Sequence, residues 1–490
     1  MNKKISLLLF LTIFTYSSIA QSIANDSLTT EGETINGKPE GLWKISRLDG
    51  SLFQEGFYKN GKKEGEWLGY YPSGKKNLVA NFKDDKLDGA YAEYFPNKRL
   101  KVKGEYDAGR PINTWKVYYE YGQVYTVKKH GEKAGDYRYR EFNAYGDIIT
   151  SAYYQNDLLH GQYREFFENG TVSVKGKYVD GKKDSTWVAY YQIGKMYSST
   201  KYNKGIKVGD WKYYHENGRV SKDYHYDNDN PVGIWKEYFY NGREKYTKYY
   251  RLSLPDSIYT EYYDNGHKSV EGKFNLGVKV GLWKTYFDNG WIYSIGKYLG
   301  DQKVSNWRYF NKKGILISEG SYKIGLEHGQ WFNYHDNGKI KSVGSFSVGK
   351  ENGNWGLFYE NGNLIQEENW DNGRLVDIGK YFLAGGDTLS RGNMKKGNGE
   401  RLSYDIKGNL IQIMHYKGGL PNGIIKSFYT NGKVESEGEM VDGLKNGGWT
   451  YYSKFGYIKS HGQYIKDKEI GIWKYYDRKG ALLEKVNYDE

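Results

Sequence analysis

The chain has 490 residues, a formal net charge of +13, 63 glycines, 7 prolines and no cysteine. Zinc–thiolate centres, iron–sulfur clusters, disulfides and cysteine nucleophiles are therefore excluded. Only 38% of residues are hydrophobic, yet 17% are aromatic, including 52 tyrosines and 14 tryptophans. That aromatic load argues against disorder.

The first predicted element is a leader. Lys3 and Lys4 precede an apolar run from Ile5 to about Tyr16, and Ser18-Ile19-Ala20 supplies a small-x-small ending. The pattern predicts a secretory signal peptide over residues 1–20, cleaved after Ala20, with Ala24 as the second choice. The run is shorter than the roughly 20 apolar residues that span a bilayer. No cysteine follows it, so attachment as a lipoprotein is excluded. The expected address is the periplasm, the outer membrane or the exterior. Residues 21–38 read as a lead-in and residues 39–490 as one repeat array.

Within the array the tryptophans Trp43, Trp67, Trp115, Trp187, Trp211, Trp235, Trp283, Trp307, Trp331 and Trp355 are separated by multiples of 24 residues. A glycine lies seven residues after each. The ruler runs from Gly50 to Gly386, shortens once between Gly386 and Gly408, and resumes through Gly480, marking 19 units. Such a period is the mark of a repeat architecture. The unit is G-x-W-x-x-Y-Y-x-N-G-x-φ-x-x-x-G-x-Y-x-x-G-x-x-x, where φ is aliphatic. Each unit reads as a β-hairpin, with Asn-Gly or Asp-Gly predicting a type I′ turn at its centre. Leu52, Gly56 and Tyr58 stand at even spacings and share a face of the second strand. Gly56 leaves room there for a neighbouring ring to lie across the backbone. A second glycine group, including Gly61, Gly109, Gly181, Gly205 and Gly325, turns the chain into the next unit. The expected fold is all-β: an elongated antiparallel β-hairpin rod of about 19 units of 24 residues, with about 38 strands.

This unit resembles the MORN repeat, in the variant form found in tandem in bacterial secreted proteins and in chains of an antitoxin-like class. The resemblance runs from Gly41 to about Tyr488. It implies an elongated hairpin scaffold, often at membranes, with protein or phospholipid partners. An intracellular antitoxin role fits poorly with an export leader.

No catalytic motif accompanies the repeats. G-x-S-x-G, H-E-x-x-H and the P-loop are missing from the sequence. Gly397-Asn398-Gly399 lacks the third glycine and the helix of a dinucleotide site. His215 and His335 occupy one repeat position and read as substituted aromatics. Asp227-Asn228-Asp229-Asn230 lacks the glycine and distal glutamate of a calcium loop. Carboxylates on facing strands have no pocket-forming insertion around them. The chain is read as a non-enzyme with no catalytic, metal or cofactor-binding residue and no cofactor.

Candidate binding residues are the lysine pairs Lys62-Lys63, Lys182-Lys183 and Lys312-Lys313, which form a basic stripe if turn lysines line one edge. Trp291, just after a hairpin turn and outside the tryptophan position, and Arg401, which replaces the tryptophan of its unit, join them. Residues 371–408 break the pattern, as a kink, a notch or drift. The expected partner is a protein, bound by a secreted scaffold in the cell envelope. Direct binding of anionic lipid or polysaccharide is the alternative, and nucleic acid is disfavoured by export. Oligomeric state stays open.

Overall fold

The structure, a computed structural model, describes residues 28–489. The expected leader lies outside them. All regular structure among the described residues is β. The chain divides into two compact units, Met1–Val232 with Tyr240–Gly242, and Gly233–Phe239 with Arg243–Glu490.

The first unit is an antiparallel meander, each strand pairing with the next in sequence. It begins earlier than the expected lead-in allows. Strand Leu28–Ile35 pairs with Lys38–Arg47, and Gly32 lies under the Trp43 ring as Gly56 lies under Trp67. Residues 28–38 are thus half a repeat that lacks the usual aromatic, with Thr34 at the tyrosine position.

The turn types differ from expectation. At the central Asn337-Gly338 only the glycine has positive φ, 81°. Gly338 N–H donates to the His335 carbonyl and His335 N–H to that of Lys339. This is a type I turn closed by a left-handed glycine, the three-residue hairpin connection. The asparagine accepts the Lys339 N–H on Oδ1, and its Nδ2 donates to the Glu360 carbonyl of the following repeat. Type I′ geometry appears instead at the connections between repeats, where Asn60 and Gly61 have φ of 52° and 82°. Both turns use Asn-Gly, so the dipeptide alone does not separate them.

The second unit is a meander of the same kind, interrupted once. Its sheet stops at strand Arg374–Ile378; Tyr381–Phe382 and Thr388–Leu389 form a small ribbon, and an eight-stranded sheet starts at Gly399–Tyr404. Residues 371–408 are therefore a rebuilt segment with its own core. Leu375, Ile378 and Met394 are buried together, flanked by Trp370 and Tyr416. The backbone closes around them: Leu375 N–H donates to the Gly419 carbonyl, Gly397 N–H to Val376, and Gly419 N–H to Gly397.

Candidate interaction surface

The repeat is held by one indole, and Trp307 shows how. Its strand, Gln302–Phe310, pairs with Ile292–Leu299 through a register shift that leaves extra residues on the tryptophan side. Ser305 absorbs the shift with φ of 58°. In other repeats a glycine does this, such as Gly65 with φ of 68°, which explains the first glycine of G-x-W. Beside the shift, the Trp307 indole Nε1–H donates to the Lys297 carbonyl at 3.2 Å. The ring thereby lies flat on Gly296, where a Cβ would sit 2.1 Å from Cδ2. Tyr298 meets it edge-on, 5.2 Å between centroids at 88°. The Lys303 ammonium closes the exposed face, 4.6 Å from the ring centroid. Trp307 is left only 3% exposed on a single sheet.

The same indole-to-carbonyl bond recurs at Trp67, Trp187, Trp211, Trp283, Trp331, Trp355, Trp449 and Trp473. A second tie joins successive repeats. Tyr71, Tyr191, Tyr263, Tyr359 and Tyr429 each donate a phenol O–H to a carbonyl 23 residues on. His335 holds this position with Nε2 2.8 Å from the Phe358 carbonyl oxygen, so the histidine does a tyrosine's work there.

This hairpin, repeated every 24 residues, is what the comparison with known families recovers. Eight segments match the MORN repeat variant: residues 63–84, 159–180, 207–228, 279–299, 327–347, 351–372, 421–442 and 469–490. The chain is a MORN-variant repeat protein. No curated protein matches it. Among solved structures, a TcdB2-TccC3-Cdc42 complex is similar at 12% identity, covering 94% of this chain and 27% of that one, with a TM-score of 0.13. A Photorhabdus luminescens Tc holotoxin pore is similar at 10% identity, covering 97% and 29%, also at 0.13. The MORN-variant chain spans less than a third of either, and scores that low carry no structural argument.

On the MORN-variant hairpins the expected lysine pairs separate. Lys63 and Lys183 lie inward over Trp67 and Trp187, at 4.0 and 4.2 Å from the ring centroids. Burial pushes the Lys63 ammonium below its ordinary pKa, against the pull of Asp85. Lys62 points outward and pairs with Asp84 at 3.1 Å, while the Lys182 stem packs by Gly205. Lys312 and Lys313 lie at the opposite, central turn of their hairpin, and Lys312 pairs with Asp288 at 3.3 Å. The single basic stripe is thus not formed, because alternate lysines are spent on indoles and the pairs sit at different ends of the hairpin. Sequence reasoning missed this use, although K-x-x-x-W recurs at Lys207, Lys279, Lys303 and Lys445. Replacing Lys303 by Met keeps the stem and removes the charge. The expected loss is about 0.5–1 kcal/mol in urea unfolding, and no loss in that titration would show the ammonium to be a bystander.

Trp291 is 55% exposed, its ring lying over Gly314 of the next turn, beside Lys313. Tyr293, two residues on, is also exposed. The structure therefore brings Trp291, Lys312 and Lys313 to one edge. Arg401 is not there. Its guanidinium is buried against Glu368 and Gln366, which corrects the expectation of a surface contact. Asp227-Asn228-Asp229-Asn230 is an inter-repeat turn, in which Asp229 Oδ1 accepts the Lys207 N–H.

On the sheet face opposite the indoles, glutamates collect donors. Glu271 accepts from Lys268, Lys284 and the Tyr286 hydroxyl at 2.5, 2.9 and 2.6 Å. Burial alone would raise its pKa, but the hydrogen bonds from Lys268, Tyr286 and Lys284 outweigh it and hold the carboxyl at about 2. A carboxyl depressed in the folded state stabilises fully above its unfolded value and loses that contribution as pH falls. The window is pH 4.5 down to about 2. Glu271→Gln should flatten the acid limb of the melting-temperature profile there, by on the order of 1 kcal/mol after solvent screening. An unchanged acid limb would contradict the assignment.

Proposed function

We propose that this MORN-variant chain is an exported, non-enzymatic scaffold that binds a protein partner in the cell envelope. The observation that carries the reading is the exposed aromatic edge of Trp291 and Tyr293 beside the Lys312-Lys313 turn. Tryptophan and tyrosine are among the side chains that dominate protein interfaces. Anionic lipid or polysaccharide is less favoured because the periodic lysines that a basic stripe would use are committed. Lys63, Lys183, Lys207, Lys279, Lys303 and Lys445 face indoles, and Lys62 and Lys312 have aspartate partners. An antitoxin-like role would need the same edge to meet its target without export.

The test is capture from an envelope extract of the producing cells, washed at rising salt, with the wild type and Trp291→Ala side by side. The expected result is one protein retained stoichiometrically at high salt by the wild type and lost from the variant. Retention of lipid or polysaccharide alone, released as salt screens the charge, would overturn it. So would a partner held equally by both chains.

A further inference from the structure

In the second unit one edge is built against the rules of its own turns. The first central residue of the type I′ connection sits at positive φ, which suits Asn, Asp and Gly and penalises aliphatic and especially β-branched residues. Elsewhere in the chain this position is mostly polar, as in Asn36, Asn60, Asp84, Asn156, Asp180, Asn228, Asn372 and Asp442. Across neighbouring connections of the second unit it is instead Leu252, Leu276, Ile324 and Val348, at φ of 50°, 45°, 52° and 50°. The connection between them in the series has Gly300 at the position, with Leu299 immediately before it. All five aliphatic side chains are exposed, Leu252 by 76% and Leu299, Ile324 and Val348 by 65–69%. Each of the four left-handed aliphatics carries two penalties, backbone strain and wet apolar surface. Strain retained at an exposed position marks a functional one.

Successive connections lie two strands apart, so the five tips form a row about 40 Å long. We propose that this row is a self-association surface, occupied by the same row of a second copy running in the opposite direction. Apart from Leu299, one residue before the position that Gly300 holds, the row is periodic, and such a row is self-complementary about its midpoint, as a twofold interface requires. Leu252 meets Val348 of the second copy, Leu276 meets Ile324, and Leu299 meets its own equivalent. Two such rows zipped together cover an area on the order of the roughly 800 Å² per partner that stable complexes bury. The flanking charges are mixed rather than a basic band, which argues against an anionic lipid surface: Arg251 is paired with Asp256, Lys279 and Lys303 are folded over indoles, and Lys323 and Lys350 stand among Asp301, Glu327 and Glu351.

The test compares the intact chain with a quadruple variant, Leu252→Asn, Leu276→Asn, Ile324→Asn and Val348→Asn, by sedimentation equilibrium and thermal melting. Asparagine accepts positive φ, so the variant is expected to fold and melt no lower than the wild type. The wild type should show a concentration-dependent doubling of mass at micromolar concentration that survives high salt, and the variant should bind itself at least about tenfold more weakly. A wild type that stays monomeric, or a variant that dimerises as well as the wild type, would overturn the proposal. A monomeric wild type that floats with phosphatidylcholine vesicles, where the variant does not, would overturn it in favour of lipid.

Discussion

Gly344→Ala is expected to destabilise the second unit by about 3 kcal/mol or more, although it adds a single methyl group. A Cβ there would lie 2.0 Å from Cδ2 of Trp355. The indole has nowhere to retreat: Nε1–H is bonded to the Ser345 carbonyl at 3.2 Å and Phe346 abuts the ring at 5.1 Å. Seating the methyl means lifting the ring, which breaks that hydrogen bond and exposes the buried face together. Repeats stabilise one another through nearest-neighbour contacts, so the defect should also split the unfolding transition. Gly448→Ala is the matched control. Gly448 stands directly before Trp449 in the same strand rather than under its ring, so its added Cβ meets nothing within 4 Å, and its φ is not positive. It should change stability by no more than about 0.5 kcal/mol. Both are read by urea unfolding followed by tryptophan fluorescence; equal effects would remove the role given to the glycine cushion.

The second large effect is expected at the break. Half-buried Arg401 packs on buried Glu368, their side chains 19% and 7% exposed, and Glu368 also accepts the Trp370 indole N–H at 2.9 Å. Gln366, fully buried, bonds the Gly379 carbonyl through Nε2. Arg401→Leu strands the carboxylate in this cluster and should cost about 3–5 kcal/mol. Glu368→Leu strands the guanidinium, whose Nε already lacks a hydrogen-bond partner, and should cost a similar amount. The double variant, with Leu at 368 and Met at 401, should be milder than either single change, because both desolvation costs leave with the pair. Additive losses in that cycle would show that the two side chains do not act on each other.

The Arg401–Glu368 pair also shows how far the sequence could be read. In most repeats the glycine cushion stands eleven residues before the tryptophan, as Gly56 does before Trp67, and the two are cross-strand partners. Where the ring changes, the residue eleven before it often changes too: Ala80 with Tyr91, Ala152 with Tyr163, Met414 with Ile425. Glu368 stands eleven before Gly379. The glycine-under-ring contact was legible because it is periodic and short in sequence. The carboxylate put in a cushion's place was legible too, but its partner was not, because Arg401 lies 33 residues further on.

The order of strands, the 24-residue period, the hairpin as the unit and the seating of rings on glycine were determined by the sequence alone. Each depends on residues a few positions apart, repeated often enough that local preference and tertiary contact agree. Tertiary structure decided the rest. Asn-Gly serves two turn types, separated only by how the flanking strands pair. A lysine stem reaches an indole or an aspartate depending on what the neighbouring strand presents, so Lys62 and Lys63 diverge. The break at residues 371–408 closes on backbone groups as distant as Gly419. The period already put Leu252, Leu276, Ile324 and Val348 at the connections between repeats, but only the backbone shows that they sit there at positive φ, with their side chains exposed on one edge.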